Sequence, residues 1–234
     1  MDQPFQHILD SALDALVYHA NQLDTEQAVR GLDALSELDF HKIIELALSH
    51  ANLGVHREAH YPSDGDAYTH ATHRNRCDFA LSPNPDRKLL DPAAELKQLA
   101  LAQDTLFAEI PQSNPDPSTT CTPEDALWIE IKTCAQHAYR DGVPSPNPSY
   151  AHQLVSGLQT DLCKLAADPH IWHAGVLFII FTESDVIARH DLNQAAHTCM
   201  GQDLPLRSPL IATHPITDRA GNACVAVGLF PVSI

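Results

Sequence analysis

Basic residues are scarce in this chain. Lys and Arg total 14 against 30 Asp and Glu, a formal net charge of −16 with histidine neutral. Affinity for a phosphate backbone comes largely from Lys and Arg, so this balance excludes a protein that coats nucleic acid non-specifically. It leaves room for a local basic groove, and a bound divalent metal would reduce local negative charge. Long apolar runs are also missing. The longest, Gly175 to Phe181, is far too short to span a membrane. Met1-Asp2-Gln3-Pro4 has neither a basic region nor an apolar signal core, which points to the cytoplasm. No CxxC pair occurs among Cys77, Cys121, Cys134, Cys163, Cys199 and Cys224. In a cytosolic chain these read as small core residues rather than a disulfide framework. There is no internal repeat and no Gly-rich phosphate loop. The lack of a Gly-x-Ser-x-Gly elbow argues against an α/β hydrolase.

What is present is enough for a real core: 234 residues, 44% of them hydrophobic. Residues 4 to 19 carry apolar side chains at helical spacing, and a second short helix is expected from Thr25 to Leu35, interrupted near Gly31. Residues 1–35 therefore read as an N-terminal helical extension, and 36–234 as the main domain. Its first helix is expected at Leu38 to Ala51, with Asp39 as N-cap and Gly54 just past its end. Strands follow at Val55 to Tyr61 and Arg76 to Leu81, joined by a polar loop, Pro62 to His73. Residues 82–126 form a long insertion, with a helix expected from Pro92 to Phe107 and a Pro- and Ser-rich loop from Pro111 to Ser118.

Leu127 to Thr133 is the next strand, and residues 141–149 are rich in chain breakers. A strong helix is expected from Tyr150 to Ala167, with Ser149 as N-cap. Gly175 to Phe181 reads as a central strand covered on both faces. A helix from Asp185 to Met200 and closing strands at Leu210 to Thr213 and Ala223 to Val232 complete an α/β chain: one mixed central sheet with helices on both faces.

The strand at Leu127 to Thr133 carries the chemistry. Side chains alternate along a strand, so Glu130 and Lys132 share one face while Ile129, Ile131 and Thr133 take the other. A buried strand carries such a pair only when it is compensated or functional. Sequential strands often pair, which would set Asp78 beside Glu130 and Lys132. Two adjacent carboxylates repel, and that favours a hard divalent cation such as Mg²⁺ or Mn²⁺. The Ile131 carbonyl is placed to share that shell. Lys132 would help activate a water or stabilise charge on a scissile phosphate.

Asp78 on the second core strand, then Glu130-Ile131-Lys132 on the third, resembles the PD-(D/E)xK nuclease superfamily. That resemblance implies a restriction-endonuclease-like α-β-β-β-α-β core, matched by residues 38–182. The family's preceding helix often supplies another acid, here Glu45, and Glu58 on the first strand competes for that role. Glu45 lies outside its helix's apolar stripe, and Glu58 reads equally as an edge-strand charge paired with Arg57 or a neighbour. Gln136 is a candidate for a Gln that recurs after the Glu-x-Lys strand. The sequence departs from the pattern at Cys77, where the family has Pro, and in the long interval before Glu130.

The function expected from this resemblance is metal-dependent hydrolysis of DNA, with Arg74 and Arg76 contacting phosphate and a homodimer or larger defence or repair complex as context. The alternative is a catalytically inactive nuclease-like module that binds other proteins. Two further groupings are expected to be structural. Asp161 and Lys164 read as an i,i+3 pair on one helix. His56, His60, His70 and His73 with Cys77 raise zinc, but they lack the paired spacings of a structural zinc site and read as a solvated loop.

Overall fold

The computed structural model describes residues 3–65, 75–91, 116 and 118–233. The expected helix from Pro92 to Phe107, the loop at Pro111 to Pro115, and His70, His73 and Arg74 lie outside the described residues.

The molecule is built on one six-stranded sheet. Its strands are β1 (Gly54–His60), β2 (Arg76–Ser82), β5 (Leu127–Ala135), β8 (His173–Thr182), β9 (Leu210–Pro215) and β10 (Cys224–Pro231). They lie in the order β1-β2-β5-β8-β10-β9. Only β5 and β8 run parallel, and every other neighbour is antiparallel. Among the described residues four helices cover the sheet: α1 (Gln3–Thr25), α2 (Glu37–His50), α3 (Tyr150–Ala166) and α4 (Asp185–Met200). A parallel neighbour needs a crossover, and α3 is the crossover between β5 and β8.

Two cores result, one on each face. Ile129 and Ile131 of β5 pack with Phe5, Ile8 and Leu16 of α1 and with Phe40 and Ile44 of α2. Trp128 and Cys134, of opposite parity, pack with Leu154, Leu158 and Leu162 of α3 and with Ala188 and Leu192 of α4. β8 contributes to both cores and is buried along almost all its length, as an apolar run predicts. Among the described residues no helix is long and apolar enough to cross a membrane.

Several local expectations are corrected. The N-terminal helix continues to Thr25, and no second α-helix forms before Leu35; residues Leu32–Ala34 make only a 3₁₀ turn. The helix closes at Gln27, which takes φ +54 while Ala28 N–H donates back to the Leu23 carbonyl. That bond satisfies an orphan carbonyl of the last turn. α2 is capped by Ser36 rather than Asp39. Asp39 instead completes a capping box from the third helical position. Its other end is closed by Asn52 at φ +63, with Leu53 N–H on the Leu48 carbonyl, so Gly54 is free to begin β1. Ser149 precedes α3 without capping it through its side chain.

Two small strand pairs add to the expected elements. Lys88–Leu89 (β3) pairs in parallel with Thr120–Cys121 (β4), inside the insertion. Residues His137–Arg140 (β6) and Val143–Pro146 (β7) form a hairpin around Asp141 and Gly142, both at positive φ. Asp-Gly is the sequence signature of that turn.

Candidate active site

Glu130 and Lys132 do share a face, the one covered by α3. Glu130 is 2% exposed. Its Oε1 accepts the Tyr61 hydroxyl at 2.7 Å and lies 2.5 Å from Lys164 Nζ. Lys132 Nζ lies 3.2 Å from Asp161 Oδ2 and donates to the Ile131 carbonyl at 3.2 Å. Asp161 and Lys164 sit one turn apart on α3, so they face the sheet together. They do not serve each other as an i,i+3 pair. Each takes the oppositely charged residue of β5, because a buried charge without a partner costs far more than a surface pair returns. Lys164 also donates to the Arg76 carbonyl at 3.1 Å and lies over the Tyr61 ring.

Asp78 sits where β2 and β5 part. Their pairing covers only Phe79↔Ile129, Ala80↔Trp128 and Leu81↔Leu127. Beyond it, Asp78 Oδ2 accepts the Ile131 N–H at 2.7 Å, a carboxylate standing in for a ladder carbonyl. Facing changes here as well. Phe79 packs on the α1–α2 side while Cys77, of the same parity, packs on the α3 side. β1 switches in step. Val55 packs toward α1–α2 and Ala59 toward α3, with Glu58 between them at φ +49. Both strands therefore break their alternation at one level, and Asp78 is left between the two layers of helices.

From the α2 side His41 approaches Asp78. This residue is 3% exposed, and neither ring nitrogen has a hydrogen-bond partner. Its Nε2 lies 3.8 Å from Asp78 Oδ2. Ligand atoms of His41, Glu58 and Asp78 all fall within 4.8 Å of one another, so this cluster could hold a metal ion. One nitrogen and two carboxylate oxygens suit a divalent cation, and an orphaned buried imidazole is the kind of donor such an ion would satisfy.

Burial pushes Asp78 up to about 7, with the neighbouring Glu130 carboxylate adding to the effect and the Ile131 N–H opposing it. Burial pulls Lys132 down, but Asp161 and Asp78 outweigh it and leave Lys132 above its ordinary value. Burial holds His41 below its ordinary value, so the ring is neutral near neutral pH. Burial likewise raises Asp161, against the pull of Lys132 and Lys164.

Of the two candidate acids, the structure brings Glu58 to Asp78 and not Glu45. Glu45 pairs with Arg57 at 3.1 Å. Glu58 has Arg76 at 3.9 Å, a neighbouring strand cation of the kind expected of an edge-strand charge. The Ile131 carbonyl expected to face a cation is taken by Lys132 in this arrangement. Gln136 does not reach the site; its Oε1 accepts the Glu183 N–H at the end of β8. The zinc set considered above is not assembled among the described residues, since Cys77 Sγ donates to the Phe79 and Ile129 carbonyls and His56 lies against Ser82.

Sequence alone does not single out His41, Tyr61, or the direct roles of Asp161 and Lys164. A signal exists for His41: it adjoins Phe40 and precedes Ile44 by three residues, at a buried position of an amphipathic helix. Comparison of the chain with protein-family models, with curated proteins and with solved structures finds no match in any of the three.

Proposed function

We propose that this protein is a metal-dependent phosphodiesterase that hydrolyses DNA, with a restriction-endonuclease-like core. The element order α2, β1, β2, β5, α3, β8 supports that topology, since it is the order of the family. The observation that carries the activity is the convergence of Asp78, Glu130 and Lys132 where β2 and β5 diverge.

Asp78, Glu58 and His41 would hold the cation, with Glu130 beside them. A bound Mg²⁺ or Mn²⁺ would supply a Lewis acid that activates water and polarises the phosphate. Lys132 has a defined part in this scheme. Asp161 and Asp78 keep its ammonium protonated, so it acts as a fixed positive charge toward a phosphate oxygen and not as a base. Asp161 aims that charge. Tyr61 and Lys164 hold Glu130 in place from the α3 side. Arg57 and Arg76 lie on β1 and β2 near this cluster, and each already faces a carboxylate, Glu45 and Glu58 respectively.

Plasmid cleavage with Mg²⁺ or Mn²⁺ tests the reading. Wild type should nick or cut, and Asp78→Ala and Lys132→Ala should not. Equal behaviour of all three proteins would sink it. A second reading, an inactive nuclease-like module in a defence or repair complex, is favoured by the internal ion pairs. Both Glu130 and Lys132 already have partners on α3. Wild type that neither cuts DNA nor shifts its melting temperature with Mn²⁺ would support that alternative.

A further inference from the structure

We infer that the His41–Glu58–Asp78 cluster selects a divalent cation of the first transition series, such as Mn²⁺, Co²⁺ or Zn²⁺, over Mg²⁺ and Ca²⁺. The inference rests on the metal-binding part of the proposed function and not on DNA cleavage.

His41 is the reason. It lies one residue past Phe40 of the α2 stripe, with its ring 5.8 Å from that of Phe79. Both ring nitrogens are buried and without a hydrogen bond. Native structures seldom leave such a buried group unmet without a use. Its Nε2 faces Asp78 at 3.8 Å. Two ligands of one small cation lie roughly 3–4 Å apart when each bond is about 2.1 Å.

The other donors fit the same ion. Asp78 accepts the Ile131 N–H through one oxygen and keeps further lone pairs. Glu58 takes a left-handed backbone conformation beside Asp78, and its side chain is about half exposed, so the site has a solvent entry. Glu45 is excluded by its pair with Arg57, which leaves imidazole as one of three protein ligands. Mg²⁺ and Ca²⁺ take oxygen ligands and gain little from imidazole, whereas affinity for a mixed nitrogen–oxygen site rises along the first transition series from Mn²⁺ to Co²⁺, and Zn²⁺ takes imidazole readily.

Titration calorimetry on the metal-stripped full chain tests this, with MnCl₂ and MgCl₂ as the probes. Mn²⁺ should bind at least ten-fold tighter than Mg²⁺. His41→Ala should lose most of that difference while Mg²⁺ binding stays weak. Pulsed EPR of the Mn²⁺-loaded protein should show nitrogen modulation in wild type and none in His41→Ala. Glu58→Gln, at an exposed position that does not threaten folding, should weaken Mn²⁺ binding several-fold. Equal affinities for the two ions, no Mn²⁺ binding, or nitrogen modulation that survives His41→Ala would each overturn the inference. Selective binding without DNA cleavage would uphold it and sink the nuclease reading. Cleavage supported equally by Mg²⁺ and Mn²⁺, with equal affinities, would do the reverse.

Discussion

Glu58 and Asp78 stand opposite each other at the point where the β1–β2 ladder is interrupted: the register runs through Arg57↔Phe79, omits one pair, and resumes at Ala59↔Cys77. Glu58 adopts φ +49 there. A left-handed conformation is costly for a residue with a side chain, and such strain persists where surrounding structure enforces it, commonly at functional sites. The finding makes Glu58 a residue kept for its carboxylate at the expense of local stability.

Glu58→Gly should therefore separate stability from binding. Removing the side chain relieves the left-handed backbone, and metal-free unfolding should show a gain of about 0.5–1 kcal/mol. Mn²⁺ affinity should fall in the same variant. Denaturant unfolding and calorimetry on one sample check both, and a loss of stability would show that the backbone there is not strained.

The Lys164–Glu130 pair predicts a different pattern. Lys164→Met would strand a carboxylate that is 2% exposed, and the cost should reach about 3 kcal/mol. Glu130→Gln in the Lys164→Met background should recover much of it, because a neutral amide can still accept from Tyr61. A double-mutant cycle by denaturant unfolding measures the coupling, and additive effects would mean that the two side chains do not depend on each other.

Asp161 acts through Lys132, so its substitution should change rate more than binding. Asp161→Asn should lower cleavage roughly 10-fold, less than the loss of a direct electrostatic contact because Asp161 acts through Lys132, with KM little altered. Asp161→Glu should restore part of the rate. The pH profile should shift as well, since Lys132 loses the neighbour that raises it. An unchanged profile would assign Asp161 a purely structural part.

Asp78 gives the metal-free protein a pH dependence of defined sign. Its folded value is raised to about 7, above the ordinary 3.8. Below the ordinary value the group is protonated folded or unfolded, and it has no effect. As pH rises from about 4 to about 7 the unfolded chain releases the proton first, so stability is lost across that window and stays lost above it. Asp78→Asn removes the loss and retains an acceptor for Ile131 N–H. It should raise the melting temperature at pH 8 and have little effect at pH 4. The gain at pH 8 should be a few kcal/mol at most, since a tenfold change in an acid constant is worth about 1.4 kcal/mol. Thermal melts of the stripped protein at the two pH values decide it.

The part of this site that is legible before folding differs from residue to residue. The placement of Glu130 and Lys132 on one face needs only strand alternation, a property of neighbouring residues. The apolar β8 run announces a strand covered on both sides, and the α1, α2 and α3 stripes announce their buried faces. The Asp141-Gly142 turn is equally visible, although the prolines around it read as a breaker segment without strands. Helix ends are less legible. Gln27 and Asn52 close α1 and α2 in conformations more typical of glycine, and neither residue type dictates that choice by itself.

Local periodicity thus determined the layers of this protein, the identity of its central strand and the shared face of Glu130 and Lys132. The tertiary structure alone decided what that face meets. Lys164 reaches Glu130 across 34 residues, Asp161 takes Lys132, and the choice between Glu45 and Glu58 follows from which of them Arg57 claims. Strand alternation fails at Glu58 and Asp78 because two strands part there. Only that departure turns Asp78 into the space between the helical layers, where His41 arrives from the opposite side. Periodic patterning encodes which way a side chain faces. A site assembled at the break in a pattern depends on contacts between segments far apart in the chain, and those exist only once it has folded.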